Sequence, residues 1–144
     1  ASFMKAPMGV QDLPASQAKA MKGELWIDPL YLARAGAVEG VTVSSSGTEK
    51  VGDVEAAKLD VDGMGTKATF WIDPATGRPL RRGRTNMAMG QQIAEVAEYG
   101  DWKTVGGIRY PAKVTITANG EPQAEAVVTS FEVNPVIDEA LFTK

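Results

Sequence analysis

Four arginines fall within seven residues, Arg78, Arg81, Arg82 and Arg84. Such a cluster can hold an anion or an acidic partner through charge-assisted hydrogen bonds. It can equally be a solvated strand whose charges blunt a sheet edge. Arg82 and Arg84 share strand parity with Leu80, which turns them toward whichever face carries the core, as the wall or rim of a cavity. Met87 and Met89 flank Ala88 just before Gly90. Loop methionines either form an adaptable binding surface or plug the end of a core. Asp60, Asp62 and Gly63 resemble a fragment of a calcium loop but lack its later ligands, and strand alternation accounts for both aspartates. Glu95 and Glu98 near Asp101 could pair for acid–base work, yet nothing around them supports it, so they are expected as surface acids.

The residue inventory removes most other chemistry. The chain contains no histidine and no cysteine. Ser–His and Cys–His catalysis, thiolate or imidazole zinc sites and disulfides are therefore unavailable. No metal site, no cofactor and no catalytic residue is expected, and the chain reads as a non-enzyme. A net charge of −3 argues against a nucleic-acid partner, which asks for a basic excess. No apolar run reaches the roughly 20 residues of a membrane-spanning helix.

At 144 residues the chain suits one domain, expected over residues 12–144, with 1–11 as a tail or linker. Two helices come first. Asp12-Leu13-Pro14 reads as the start of one, with Asp12 as N-cap and Ala18, Met21 and Leu25 at helical spacing. Gly23 weakens its centre. Asp28-Pro29 opens a shorter helix that Gly36 stops, with Leu30, Leu32 and Ala33 packing inward.

Everything afterwards reads as antiparallel strands about ten residues apart. Ala57, Leu59 and Val61 share one face of a strand, and Ala68, Phe70 and Ile72 share one face of the next. Asp73-Pro74-Ala75-Thr76-Gly77 is a bulged hairpin loop, returning through Leu80–Asn86. Gln91–Tyr99, with Ile93 among its apolar residues, is open between strand and helix. Tyr99, Trp102 and Tyr110 read as core or cavity-wall aromatics. Asn119-Gly120 marks a further hairpin. Ala124–Val133 is the last strand, with a phase change that indicates a bulge. Asp138 caps a final helical turn over Ile137–Phe142. The fold class is α+β and mostly β, with seven or eight strands after two helices; no βαβ rhythm asks for a parallel sheet.

Three stretches carry a resemblance: the hairpin Trp71–Leu80 (WIDPATGRPL), Tyr99–Pro111 (YGDWKTVGGIRYP) and the ending Val133–Phe142 (VNPVIDEALF). In this order and spacing they resemble the lipoprotein-carrier and lipoprotein-sorting superfamily of the bacterial periplasm, over residues 50–143 and more loosely over 12–49. The resemblance implies an antiparallel half-barrel with the two helices on its concave face and an apolar cavity between. It implies a periplasmic or secreted binding module for a lipid, an acyl chain or an acylated protein. The alternative is a structural or interaction domain of a longer secreted bacterial protein, with other domains as partners and no ligand. On the first reading Met21, Leu25 and Leu30 form the lid. Leu59, Phe70, Ile72, Leu80 and Ile93 are walls, Ala57, Ala68 and Ala97 leave space, and Arg82, Arg84, Met87 and Met89 stand at the rim. The chain is short for a carrier, so the cavity should be small.

Overall fold

The computed structural model describes residues 3–7, 9–88 and 90–142. Two short strands, β1 (Phe3–Ala6) and β2 (Gly9–Asp12), pair as an antiparallel hairpin within the segment read as a tail or linker. Helices α1 (Ala15–Trp26) and α2 (Leu32–Ala35) follow. Seven strands come next: β3 (Val41–Val51), β4 (Val54–Gly63), β5 (Thr66–Ile72), β6 (Pro79–Ala88), β7 (Gln91–Val105), β8 (Ile108–Ala118) and β9 (Glu121–Val127). They form one antiparallel sheet in which spatial order equals chain order, and β3 and β9 are its open edges. A single 3₁₀ turn, Glu139–Phe142, ends the described chain, and the Ala140 N–H donates to Asp138 Oδ1 at 2.9 Å, the expected cap.

Local chemistry explains these boundaries. In the loop after β5 the Gly77 N–H donates to Asp73 O at 2.8 Å, and Gly77 has a φ of 69°, a value open to glycine at little cost. Asp73 Oδ1 accepts from the Ala75 N–H and Oδ2 from the Thr76 hydroxyl. These bonds, the Thr76 hydroxyl first, hold the Asp73 carboxyl below its ordinary pKa. Gln91–Tyr99 is a strand. Its alternation of exposed Ala94 and Glu98 with buried Ala97 and Tyr99 settles a period that alanine content left ambiguous. The last strand is Glu121–Val127 rather than Ala124–Val133, and its bulge falls ahead of the expected strand, where Ile116 pairs with Ala124 but Thr117 with Pro122, leaving Gln123 unpaired.

The first helix departs from expectation in its start and its orientation. Asp12 belongs to β2, and α1 begins after Pro14, which is its N-cap residue without a side-chain cap bond. Met21 and Leu25 lie on its exposed side, 52% and 45% accessible. Gly23, Trp26 and Ile27 face the sheet instead. The reason is close approach: a Cβ on Gly23 would sit 2.5 Å from Thr66 Oγ1 and 3.3 Å from Met64 O. The residue that weakens the helix by propensity is thus the one that lets it touch the β4–β5 turn. Asp28 does not cap α2 directly. Its Oδ1 accepts from the Leu30 N–H, shaping a turn that precedes Leu32.

The core joins Ile27, Trp26, Leu32 and Ala35 from the helical segment to Val61, Ala68, Phe70, Ala97 and Tyr99 from the sheet. Strand register fixes which side chains share this face. One row crosses six strands as Leu59, Phe70, Arg82, Ala97, Ile116 and Ala124. A charged residue therefore stands in the middle of an apolar row.

Candidate functional site

Arg82 is tolerated in that row because both of its terminal nitrogens are bonded. Nη1 donates to Ile27 O at 3.1 Å, and Nη2 donates to Glu95 Oε1 at 2.7 Å. Arg84, two residues on and on the same face, donates to both Glu95 oxygens and to Glu24 on α1. Asn86 Nδ2 reaches Glu95 Oε2 at 3.3 Å. The side chains of Arg82, Arg84 and Glu95 are 13%, 17% and 18% accessible. Burial pushes the Glu95 carboxyl up, but the hydrogen bonds and charge of Arg84, and then Arg82, outweigh it and hold the group below its ordinary pKa. Burial likewise works against the Arg84 guanidinium, and Glu95 and Glu24 overcome it.

Glu95 is therefore not the surface acid that its sequence neighbours suggest. Its partners are on the neighbouring strand β6, Arg84 directly opposite and Arg82 and Asn86 two residues to either side, and only the β6–β7 register brings them together. Glu98 points to the other face and pairs with Arg81 at 2.7 Å. The four-arginine cluster thus divides between two faces and the turn at Arg78.

Beside this network lies a half-open pocket of about 300 Å³ between the Asp28–Leu30 loop and strands β7 and β8. Leu30, Val114, Ile116 and Phe131 are among its apolar lining residues, and Asp28, Arg82 and Tyr99 also line it. The segment after β9 closes one side. The Val128 N–H donates to Ala112 O at 2.8 Å, and Phe131 stacks on Tyr110 with centroids 4.1 Å apart. Tyr99 is 9% accessible and its hydroxyl is buried with no hydrogen-bonding partner in the protein. Burial first of all pushes this phenol up to about 12, so it stays protonated. Of the buried polar atoms left without a partner, the Tyr99 hydroxyl and Arg82 Nε are on residues that line this cavity.

The expected site residues scatter around this geometry. Leu30 and Arg82 line the cavity. Phe70 is fully buried, and Ile72 packs against the core. Leu59 lies across from Phe70 on the same face, and Ile93 lies across from Asn86. Leu80 is the unpaired residue of a β6 bulge, since Pro79 pairs with Ile72 and Arg81 with Trp71. Arg84 belongs to the ionic network, Met87 is 67% exposed, and Met89 lies outside the described residues. The sequence missed Phe131, Val114 and Ile116 as cavity walls. Alternation places Val114 and Ile116 on one face, but nothing local to residue 131 shows that it folds back onto Tyr110.

The opposite face carries a wider, open trough of about 1030 Å³ over Thr42, Ser44, Thr69, Gly83 and Thr85. Several of its polar groups are bonded within the sheet, the Thr69 hydroxyl to Asp60 at 2.6 Å and Lys67 to Asp62 at 2.6 Å. That pattern is a solvated sheet face, as Asp60 and Asp62 were read. Among the described residues no cluster of acidic side chains is placed to hold a metal ion, and no helix is long and apolar enough to cross a membrane.

No protein-family model matches the chain, and no curated protein matches it. It is similar to a crystal structure described as an outer membrane lipoprotein-sorting protein domain, from Vibrio parahaemolyticus. The TM-score is 0.45 at 16% identity, over 67% of this chain and 46% of that one. This chain spans less than half the length of that structure. Likeness of that degree assigns no role to the site, which has to be argued from its own geometry.

Proposed function

We propose that this domain is a non-enzymatic binding module that takes a small, mostly apolar ligand between its helical segment and its sheet. The observation that carries the reading is the half-open pocket lined by Leu30, Tyr99, Ile116 and Phe131. Its size is at the low end for ligand sites, which run from about 300 to 1,000 Å³. At ~30 Å³ per water it has room for about ten. Apolar walls with a few convergent polar groups are what such a site needs, and an acyl chain gains about 0.8 kcal/mol per methylene buried there. The sequence resemblance of residues 71–80 and 99–111 supports the same reading, with the helices in the concavity of a half-barrel, a lipid or acylated protein as cargo, and a periplasmic or secreted location. The absence of His and Cys keeps the reading non-enzymatic.

A second reading, a structural domain of a longer secreted protein with no ligand, has its own support. The core next to the cavity is filled, with Phe70 at 0% and Ile27 at 1% accessibility. The neutral apolar dye N-phenyl-1-naphthylamine separates the two. The binding reading expects saturable fluorescence enhancement that Ile116→Trp, filling the cavity, removes while circular dichroism is unchanged. No enhancement with the wild-type domain would favour the structural reading.

A further inference from the structure

The three walls of the pocket are not held equally. Strands β7 and β8 are fixed by their shared ladder. The Asp28–Leu30 loop is tied down by the Leu30 N–H on Asp28 Oδ1, by the Tyr31 and Leu32 N–H groups on Asp28 O, and by Arg82 on Ile27 O. The segment after β9 supplies the third wall through Val128 and Phe131. Its last bond to the sheet is the Val128 N–H on Ala112 O. Among the described residues no hydrogen bond ties 129–137 to the rest of the protein. Two half-buried side chains hold this stretch instead. Phe131 stacks on Tyr110 with the ring planes 11° apart, and Val133 packs over Gly106. Thr129, Ser130 and Glu132 between them are exposed. Asn134 then turns the chain at a φ of 52°, and Val136 and Ile137 beyond it are exposed. Beneath the segment lies apolar floor. One face of β8 carries Tyr110, Ala112, Val114 and Ile116 in alternation, so the Tyr110 end continues the stripe that lines the pocket. Tyr110 is only 6% accessible with Phe131 stacked on it.

We infer that residues 128–138 form an autoinhibitory strap: Phe131 occupies the place on Tyr110 into which an elongated apolar ligand extends, and such a ligand binds by lifting the strap. This rests on the binding reading above. Segments with few buried contacts and few backbone hydrogen bonds open at the lowest free energy in a fold, and here that segment is a pocket wall. A long chain replaces the Phe131 ring on Tyr110, so it recovers the apolar contact that the strap gives up. A short ligand fits beside the strap and has nothing to displace. The strap therefore competes with long ligands only, and Phe131 sets the length at which competition begins.

The test is displacement of N-phenyl-1-naphthylamine by 1-hexanol and 1-dodecanol. A methylene takes roughly the room of a water molecule, so the shorter alcohol fits the pocket as it stands and the longer one outgrows it. Phe131→Ala removes the competitor without touching a hydrogen bond or a strand. It should tighten dodecanol about two- to tenfold, the worth of one aromatic pair, and leave hexanol within about twofold. A lock should give the opposite sign. A Cβ on Gly106 would sit 3.3 Å from Val133 Cβ, close to the disulfide range, and the chain has no cysteine of its own. Gly106→Cys with Val133→Cys, once oxidised, should bind dodecanol at least about tenfold more weakly than the same protein after reduction, because the extra methylenes stay unburied, with hexanol unchanged. Comparing two redox states of one protein cancels the strain of a side chain at position 106. Weaker or unchanged dodecanol binding by Phe131→Ala overturns the inference, since Phe131 would then be a wall that the ligand needs or does not reach. Equal dodecanol binding by the locked and the reduced protein also overturns it. Failure of the dye to bind the wild-type domain overturns the binding reading itself, and the inference with it.

Discussion

Glu95→Gln offers the sharpest check on the ionic network. The substitution keeps the shape of the side chain and removes the charge that balances two arginines at 13% and 17% side-chain accessibility. The Glu95 oxygens accept four hydrogen bonds: Arg82 Nη2 at 2.7 Å, Arg84 Nε at 2.8 Å, Arg84 Nη2 at 3.1 Å and Asn86 Nδ2 at 3.3 Å. A glutamine amide replaces one acceptor with a donor that faces donors. Breaking a buried pair from one side costs about 3–5 kcal/mol, because the remaining charge stays buried. Arg84 has an outlet in Glu24, which is 52% exposed, so the expected cost here is about 2–4 kcal/mol. For a chain of this size that is a fall in Tm of roughly 6–12 °C at neutral pH.

The pH dependence gives a second readout of the same interaction. The folded-state pKa of Glu95 is depressed, so its contribution is fully present above the unfolded value, about 4.3, and is lost as pH falls through the lower folded value. Thermal melts followed by circular dichroism should therefore show wild type and Glu95→Gln converging in acid. Replacing the three charges together by Met, Leu and Met should be neutral or stabilising. A Tm change under about 2 °C for Glu95→Gln at pH 7, or a gap that does not narrow in acid, would refute the reasoning.

Gly77→Ala meets open space around its Cβ and suffers only the φ of 69°, so urea denaturation should show a loss of about 1 kcal/mol. Gly23→Ala gains helix propensity but drives a methyl group onto Thr66; we expect a net loss of about 1–2 kcal/mol, largely recovered by adding Thr66→Ala. Met21→Ser with Leu25→Ser should change stability by less than about 0.5 kcal/mol per site, because both side chains are exposed; a large loss would mean that α1 packs through the face expected from its spacing.

The strands and turns were legible because their signals are local. The Asp73–Gly77 loop and the Asp138 cap depend on side chains within a few residues of one another, and the Asn119-Gly120 turn on two successive residues at positive φ. The alternation of Leu59 with Val61 and of Ala68 with Phe70 places the core face correctly. Parity alone placed Arg82 and Arg84 on that face too. What it could not supply was the partner, since Glu95 meets them only through a register set by a turn several residues away. Helix α1 was misread for a related reason. Spacing identifies an apolar stripe, but a glycine at a close contact makes a neighbouring stripe the buried one. Phe131 was invisible because an irregular segment folding back on a sheet leaves no period to read.

The order of the strands has a consequence for how the sheet assembles. Each strand from β4 onward pairs with the one made just before it, so no strand has to wait for a distant partner or be inserted between two others. Contacts close in sequence form quickly, because the loops they close are short. The sheet can therefore grow from its first hairpin like a zipper, with β3 as a fixed edge and the newest strand as the only edge that advances. The finished edge at β9 carries Pro122, a bulge and exposed glutamates at 121 and 125, features that discourage another strand from joining. Growth thus has a built-in stop at one end, so the completed sheet resists extension into an aggregate from the side where its own assembly finished.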